Sequence, residues 1–193
     1  MIFNPIKLIC YLAPLSFTLL IGCGKTAPEQ QANQPESNPP TQPPTTPKVE
    51  PTEATLTPGM EAARKAHDEG RYADAVRLYT AELATEEAKP APSWVQLSHL
   101  NNQLGSALDE AGQYDQALGY YQKSLAIRLK QLGPDHPKVA GSYHNIAFVY
   151  KAKKDMPKAK EYWEKAHAIL LKNLGPNHPH TKLVKGQLDA LKE

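Results

Sequence analysis

One phrase occurs twice in this chain. Leu132-Gly133-Pro134-Asp135-His136-Pro137 returns as Leu174-Gly175-Pro176-Asn177-His178-Pro179, 42 positions later. The same displacement carries Gly70-Arg71-Tyr72 onto Gly112-Gln113-Tyr114, Ala75 onto Ala117 and Ala159, and Tyr79 onto Tyr121 and Trp163. A fixed period of this length marks a helical array, whose units bury an apolar face only by stacking on their neighbours. Apolar residues at three- and four-residue spacing predict helices over Glu61 to Glu69, Tyr72 to Glu87, Val95 to Ala111, Tyr114 to Gln131, Lys138 to Lys153, Met156 to Asn173 and Pro179 to Lys192. Gly133 and Gly175 follow helix ends, where a left-handed residue is needed. Pro137 and Pro179 open the next helices, where a missing N–H costs nothing. No segment reads as a strand, so the array is all-α.

The amino-terminal third is built differently. Leu8 to Gly24 is uncharged and mostly apolar, is broken by Pro14 and ends before Lys25. Its length lies at the short limit for a membrane span, which takes roughly 20 residues. The stretch closes on Leu20-Ile21-Gly22-Cys23, which resembles the bacterial lipobox. That resemblance implies cleavage after residue 22 and a lipid, palmitate among its acyl chains, on the Cys23 thiol. An uncleaved signal anchor is the alternative reading, and the small residue before Cys23 favours cleavage. The other cysteine, Cys10, lies inside the signal, so the mature chain would hold no free thiol and no disulfide. Gly24 after the cysteine is compatible, by analogy, with an outer-membrane address facing the periplasm in a Gram-negative cell. From Thr26 to Pro58 the composition turns to Pro, Gln, Thr and Glu. Such a stretch cannot form a core and reads as a disordered, Pro-rich tether. The expected organisation is therefore a signal over 1–22, lipidated Cys23 with its linker over 23–57, and a helical domain over 58–193.

Within the helical domain the pattern is specific. The second unit carries Asn102, Gln103, Leu104, Gly105, Leu108, Gly112, Tyr114, Ala117, Tyr121, Ser124 and Leu125. The third carries His144, Asn145, Ile146, Ala147, Tyr150, Ala159, Trp163 and Ala166, and the first, partial unit Ala63, Gly70, Tyr72, Ala75 and Tyr79. This resembles the tetratricopeptide repeat in the longer form of kinesin light chains. The resemblance implies a helical-hairpin solenoid of about three repeats, with the segment from Lys182 to Lys192 capping its end. That cap places Leu183, Val184, Leu188 and Leu191 on one face. Gly105, Ala147, Ala117 and Ala159 are small where paired helices meet, and Tyr121 and Trp163 fill the space between units. There are departures from the pattern. Lys154 stands for the inter-helix glycine, Asn101 for an apolar residue, and Gly59 leaves the first unit weak.

Chemistry is hard to find in this sequence. His136 and His178 are repeat-equivalent and read as turn residues. His178-Pro179-His180 has no carboxylate or cysteine cluster beside it, so no metal site and no cofactor are expected. No phosphate loop, nucleophile elbow or zinc-protease helix is present, and the chain does not read as an enzyme. Charge is uneven. Pro58 to Pro137 carries 8 Lys/Arg against 11 Asp/Glu, and Lys138 to Glu193 carries 11 against 5, with Lys151, Lys153, Lys154, Lys158 and Lys160 close together. That end is either a solvated face or a surface for anionic lipid headgroups, glycan-linked carboxylates or an acidic partner.

The family resemblance implies a groove lined by the first helix of each pair, which takes a partner's peptide or helix. Its positions fall on Arg64 and His67, on Asn102, Ser106 and Asp109, and on His144, Phe148 and Lys151. Asn102 both donates and accepts, as a peptide backbone requires. The function expected is a membrane-anchored interaction scaffold or adaptor of the bacterial cell envelope, with protein partners and no nucleic acid. A pilotin-like assembly factor for a secretion or pilus system and a cell-wall-binding lipoprotein are the alternatives. Self-association through the first pair stays open.

Overall fold

The computed structural model describes residues 54–191. The readings on the signal, on Cys23 and on the tether up to residue 53 lie outside the described residues. Within them the chain forms α1 (Pro58–Asp68), α2 (Tyr72–Glu87), α3 (Trp94–Glu110), α4 (Tyr114–Leu132), α5 (Pro137–Ala152), α6 (Met156–Leu174) and α7 (Pro179–Asp189), with no strand among these residues. Each helix packs on the ones before and after it in sequence, and α3 also touches α5. The result is three hairpins, α1/α2, α3/α4 and α5/α6, closed by α7.

Each hairpin turns by the same backbone device. Arg71, Gln113 and Asp155 donate their N–H groups back to Ala66, Leu108 and Tyr150 carbonyls, each at 2.8 Å. This six-to-one bond ends a helix when the residue before the donor has positive φ. Gly70 and Gly112 supply it at +73° and +75°, and Lys154 adopts +62° in the third hairpin. The departure at Lys154 therefore leaves the turn intact at a conformational cost.

The repeated phrase joins hairpin to hairpin. Gly133 and Gly175 take φ/ψ of 85°/168° and 79°/171°, outside the left-handed helical well the sequence predicted and in a region essentially reserved for glycine. His136 and His178 then cap α5 and α7, their Nδ1 atoms accepting from the N–H groups of Lys138 at 3.0 Å and His180 at 3.2 Å. The proline after each occupies the first helical turn. Asn173 donates to the Asp135 carbonyl at 2.8 Å and Lys172 pairs with the Asp135 carboxylate at 2.5 Å, which ties the first linking loop to α6.

A continuous core runs through the stack. Met60, Ala63, Tyr79, Leu104, Leu108 and Tyr121 bury one half; Val139, Ala147, Trp163, Ile169 and Val184 bury the other; Leu125, Tyr150 and Tyr162 pack against both. Gly105 is a point of close approach, since a Cβ there would lie 2.8 Å from the Tyr121 ring. Gly59 carries Glu82 above it, with its carboxylate where a Cβ would stand, and that carboxylate accepts from the capping Thr57 hydroxyl at 2.6 Å. In the cap, Val184 is buried and Leu188 and Leu191 are partly so, but Leu183 stays 49% exposed and does not join them. It falls one helical step off the face that α6 covers. Asn101 is buried at its unusual position; its amide donates to the Leu97 carbonyl at 2.8 Å and its Oδ1 has no partner.

A lysine in the left-handed region costs roughly 1 kcal/mol or more relative to glycine, offset in part by glycine's greater freedom when unfolded. Lys154→Gly is therefore expected to raise stability by about 0.5–1 kcal/mol, read as a higher urea midpoint with an unchanged slope.

Candidate interaction face

The odd-numbered helices carry the candidate positions, and the core aromatics of the even-numbered helices decide how these positions are arranged. Tyr79, Tyr121 and Trp163 are repeat-equivalent and almost fully buried, yet each reaches between the helices until its tip meets the candidate residues. The Tyr121 hydroxyl lies beside Ser106 and in the field of Asp109. Burial raises the pKa of this phenol, and the Asp109 charge adds to the effect. Tyr79 is within hydrogen-bonding reach of Gln103 and feels the charges of Asp68 and Arg64. Trp163 meets Phe148 edge-on at 5.4 Å between ring centroids and has the Lys151 ammonium 5.8 Å above its ring.

Neighbouring units are linked along the same face. Asn145 on α5 donates to the Asn102 Oδ1 on α3 at 3.0 Å, so Asn102 spends one acceptor site on its neighbour. Lys151 on α5 donates to Gln187 Oε1 on α7 at 3.2 Å. His144 packs edge-on to Phe148 at 4.7 Å, and its Nδ1 is buried with no partner. Burial pushes its pKa down to about 4, with nearby His180 contributing. Asp109 is half-buried; desolvation raises its carboxyl, and Glu110 raises it further. On α1, Arg64 is exposed and His67 packs edge-on to Tyr72 at 5.5 Å with a buried, unpartnered Nε2. The structure thus brings Ser106 and Asp109 to the Tyr121 tip and Phe148 and Lys151 to the Trp163 ring; it joins Asn102 to Asn145, sets His144 against Phe148, and leaves Arg64 and His67 at the end of the row.

The basic cluster does not survive as a single patch. Lys153 pairs with Asp115, Lys158 with Asp155 at 3.1 Å, and Lys160 approaches Glu164 at 3.9 Å. Among the described residues no group of three or more His, Cys, Asp and Glu side chains is placed to hold a metal.

Residues 63–130 and 96–147 match one tetratricopeptide-repeat family model, and residues 139–180 match a second. The chain is a tetratricopeptide-repeat protein. Nephrocystin-3 of Xenopus laevis is 40% identical over 83 residues, which are 43% of this chain and 6% of that protein. This chain therefore matches only a small part of its curated relatives. Repeats ascribed to a kinesin light chain in Podosopora anserina superpose with a TM-score of 0.61 at 26% identity, covering 69% of this chain and 63% of theirs. PcrH, seen in complex with the chaperone-binding region of PopD, shares the fold with a TM-score of 0.54 at 14% identity, over 72% of this chain and 96% of its own.

The buried histidine yields a test. Its folded pKa of about 4 lies below the ordinary 6.5, so as the pH falls the unfolded chain takes up a proton that the folded chain refuses. Stability present above pH 6.5 is therefore lost progressively towards pH 4. His144→Asn, which installs the residue found one repeat earlier at Asn102, should flatten that loss, checked by urea midpoints at a series of pH values between 4 and 7.

Proposed function

We propose that this chain is a lipid-anchored interaction scaffold of the bacterial cell envelope, which holds a partner's peptide or helix against the face formed by α1, α3, α5 and α7. The observation that carries the interaction half is the arrangement just described. In successive repeats, polar and aromatic side chains collect at the tip of a buried ring, so the binding residues stand on rigid helices and are fixed by the core. Repeat arrays present extended surfaces of this kind, and PcrH offers the same fold in a complex with a segment of another protein. Nothing in the arrangement brings a nucleophile, an acid and a base together, which fits a binding role.

The anchoring half rests on sequence. Leu20-Ile21-Gly22-Cys23 supplies a lipidation signal, and the Pro-rich stretch up to Pro58 supplies a spacer between membrane and array. Among the described residues no helix is long and apolar enough to cross a membrane. Two or more acyl chains hold a protein stably where one does not. The outer membrane, facing the periplasm, is the location we assign in a Gram-negative cell. A second reading, an escort for subunits of a secretion or pilus system, draws on the chaperone role that the PcrH complex names.

In-cell crosslinking and affinity capture test both halves. The full chain should fractionate with membranes and Cys23→Ser should not. A variant with alanine at Asn102, Asp109 and Lys151 should lose a defined set of captured proteins while keeping its helical content. An unchanged set would remove the interaction from this face, and a membrane-bound Cys23→Ser would remove the lipid anchor.

A further inference from the structure

The period of 42 brings three residues to equivalent places near the carboxyl ends of α2, α4 and α6: Glu86, Arg128 and Leu170. Each faces the start of the next odd-numbered helix, and their chemistries differ. Glu86 is fully used. It is 3% exposed, accepts from the Ser93 N–H at 2.7 Å and pairs with Lys89 at 2.5 Å. Leu170 lines an apolar cleft of about 260 Å³ together with Pro137, Leu174, Leu183 and His180.

Arg128 is the exception. It lines a cleft of about 300 Å³ with Leu56, Trp94, Val95, His99 and Lys138. Its Nη1 donates to the Lys138 carbonyl at 3.1 Å and to Ser142 Oγ at 2.8 Å. Among the described residues no carboxylate pairs with it, and its Nε and Nη2 make no hydrogen bond. Burial depresses its proton affinity, with no acidic neighbour among the described residues to oppose it. His99 beside it is shifted downward by burial and then by the Arg128 charge. A guanidinium withdrawn from water without a counter-charge is costly unless something supplies one. Its planar fork matches a carboxylate bidentately, and Trp94, Val95 and Leu56 line the cleft beside it.

The two clefts are one motif repeated. Val95 and Pro137, His99 and Gly141, Arg128 and Leu170, and Lys138 and His180 are equivalent pairs, and Lys138 lines both clefts. Packed helices lie on the order of 10 Å apart, which an extended chain spans in about three residues.

We propose that the cleft at Arg128 receives the side-chain carboxylate of an Asp or Glu in an extended partner peptide, while an apolar side chain about three residues away enters the cleft at Leu170. This rests on the reading that the odd-numbered helices bind an extended peptide, and it specifies the chemistry of that peptide. Trp94 and Leu56 line the cleft beside the guanidinium, and a single acidic position then decides recognition.

Selection of a random peptide library displayed on phage, with no free carboxyl terminus, against the full chain tests the assignment. Recovered peptides should share one Asp or Glu, with Leu, Ile, Met or Phe about three residues away. Replacing that acid by its amide in a selected peptide should weaken binding about tenfold or more, as loss of a charge-assisted contact implies. Arg128→Leu installs the residue that Leu170 already provides one repeat later. Selection against it should keep the apolar preference and lose the acidic one. Peptides that bind with no acidic position, or an amide peptide that binds as well as its acid, would overturn the cleft assignment and leave peptide binding standing. Recovery of no peptide at all would overturn the peptide-binding reading of the face, and this inference with it.

Discussion

A large ring on one helix of each pair is set against a residue with almost no side chain on the other, and the array is built on that contact. In the second hairpin the Tyr121 ring lies only 2.8 Å from where a Cβ of Gly105 would be. The first and third hairpins place Ala63 with Tyr79 and Ala147 with Trp163 at the equivalent positions, and all four are buried to within 2% of complete. Small residues let the helix axes approach, and the ring then fills the space that two alanine-sized faces would leave empty. Because each ring also packs towards the neighbouring hairpin, the contact sets both the geometry within a unit and the stacking of units. Repeat arrays gain their stability from that second term.

The same rings tie the core to the interaction face. Tyr79, Tyr121 and Trp163 are core residues by burial and site residues by position, since Tyr79 lies within reach of Gln103 and in the field of Arg64, Tyr121 lies beside Ser106 and in the field of Asp109, and Trp163 meets Phe148 under the Lys151 ammonium. A change of hand at one tip is visible in the chemistry. Tyrosine presents a hydroxyl to polar neighbours in the first two units, whereas tryptophan presents an apolar edge and accepts a cation above its face in the third. Along the row the face therefore grades from hydrogen-bonding to aromatic, and it is fixed on rigid elements throughout.

Much of this was legible in the chain. The helix boundaries fall within a few residues of expectation because glycine, proline and histidine mark them by backbone conformation and capping, which are local. The role of Lys154 could be placed, but its positive φ follows only from the bond that Asp155 makes to Tyr150. Leu183 shows where periodicity fails: a helix at the end of an array has a neighbour on one side only, so an apolar stripe wider than that neighbour stays exposed. Arg128 was missed altogether. Nothing in its own helix distinguishes it from a surface arginine, and its signal lies in comparing Glu86, Arg128 and Leu170 across the period. The groove positions taken from the family resemblance sit on one side of the odd-numbered helices, but the Asn102–Asn145 bond between units required three dimensions.

The most direct test is to fill the space on which the stack depends. Gly105→Val should force the Tyr121 ring out of register, at a cost of about 1–3 kcal/mol, as overpacking of a close-packed core implies. Amide hydrogen exchange would then show lost protection in α3 and α4 and in the helices on either side, α2 and α5, while α7 is least affected. Protection unchanged across α3 and α4, with the urea midpoint of the original chain, would contradict the claim that this one contact organises the array and its face.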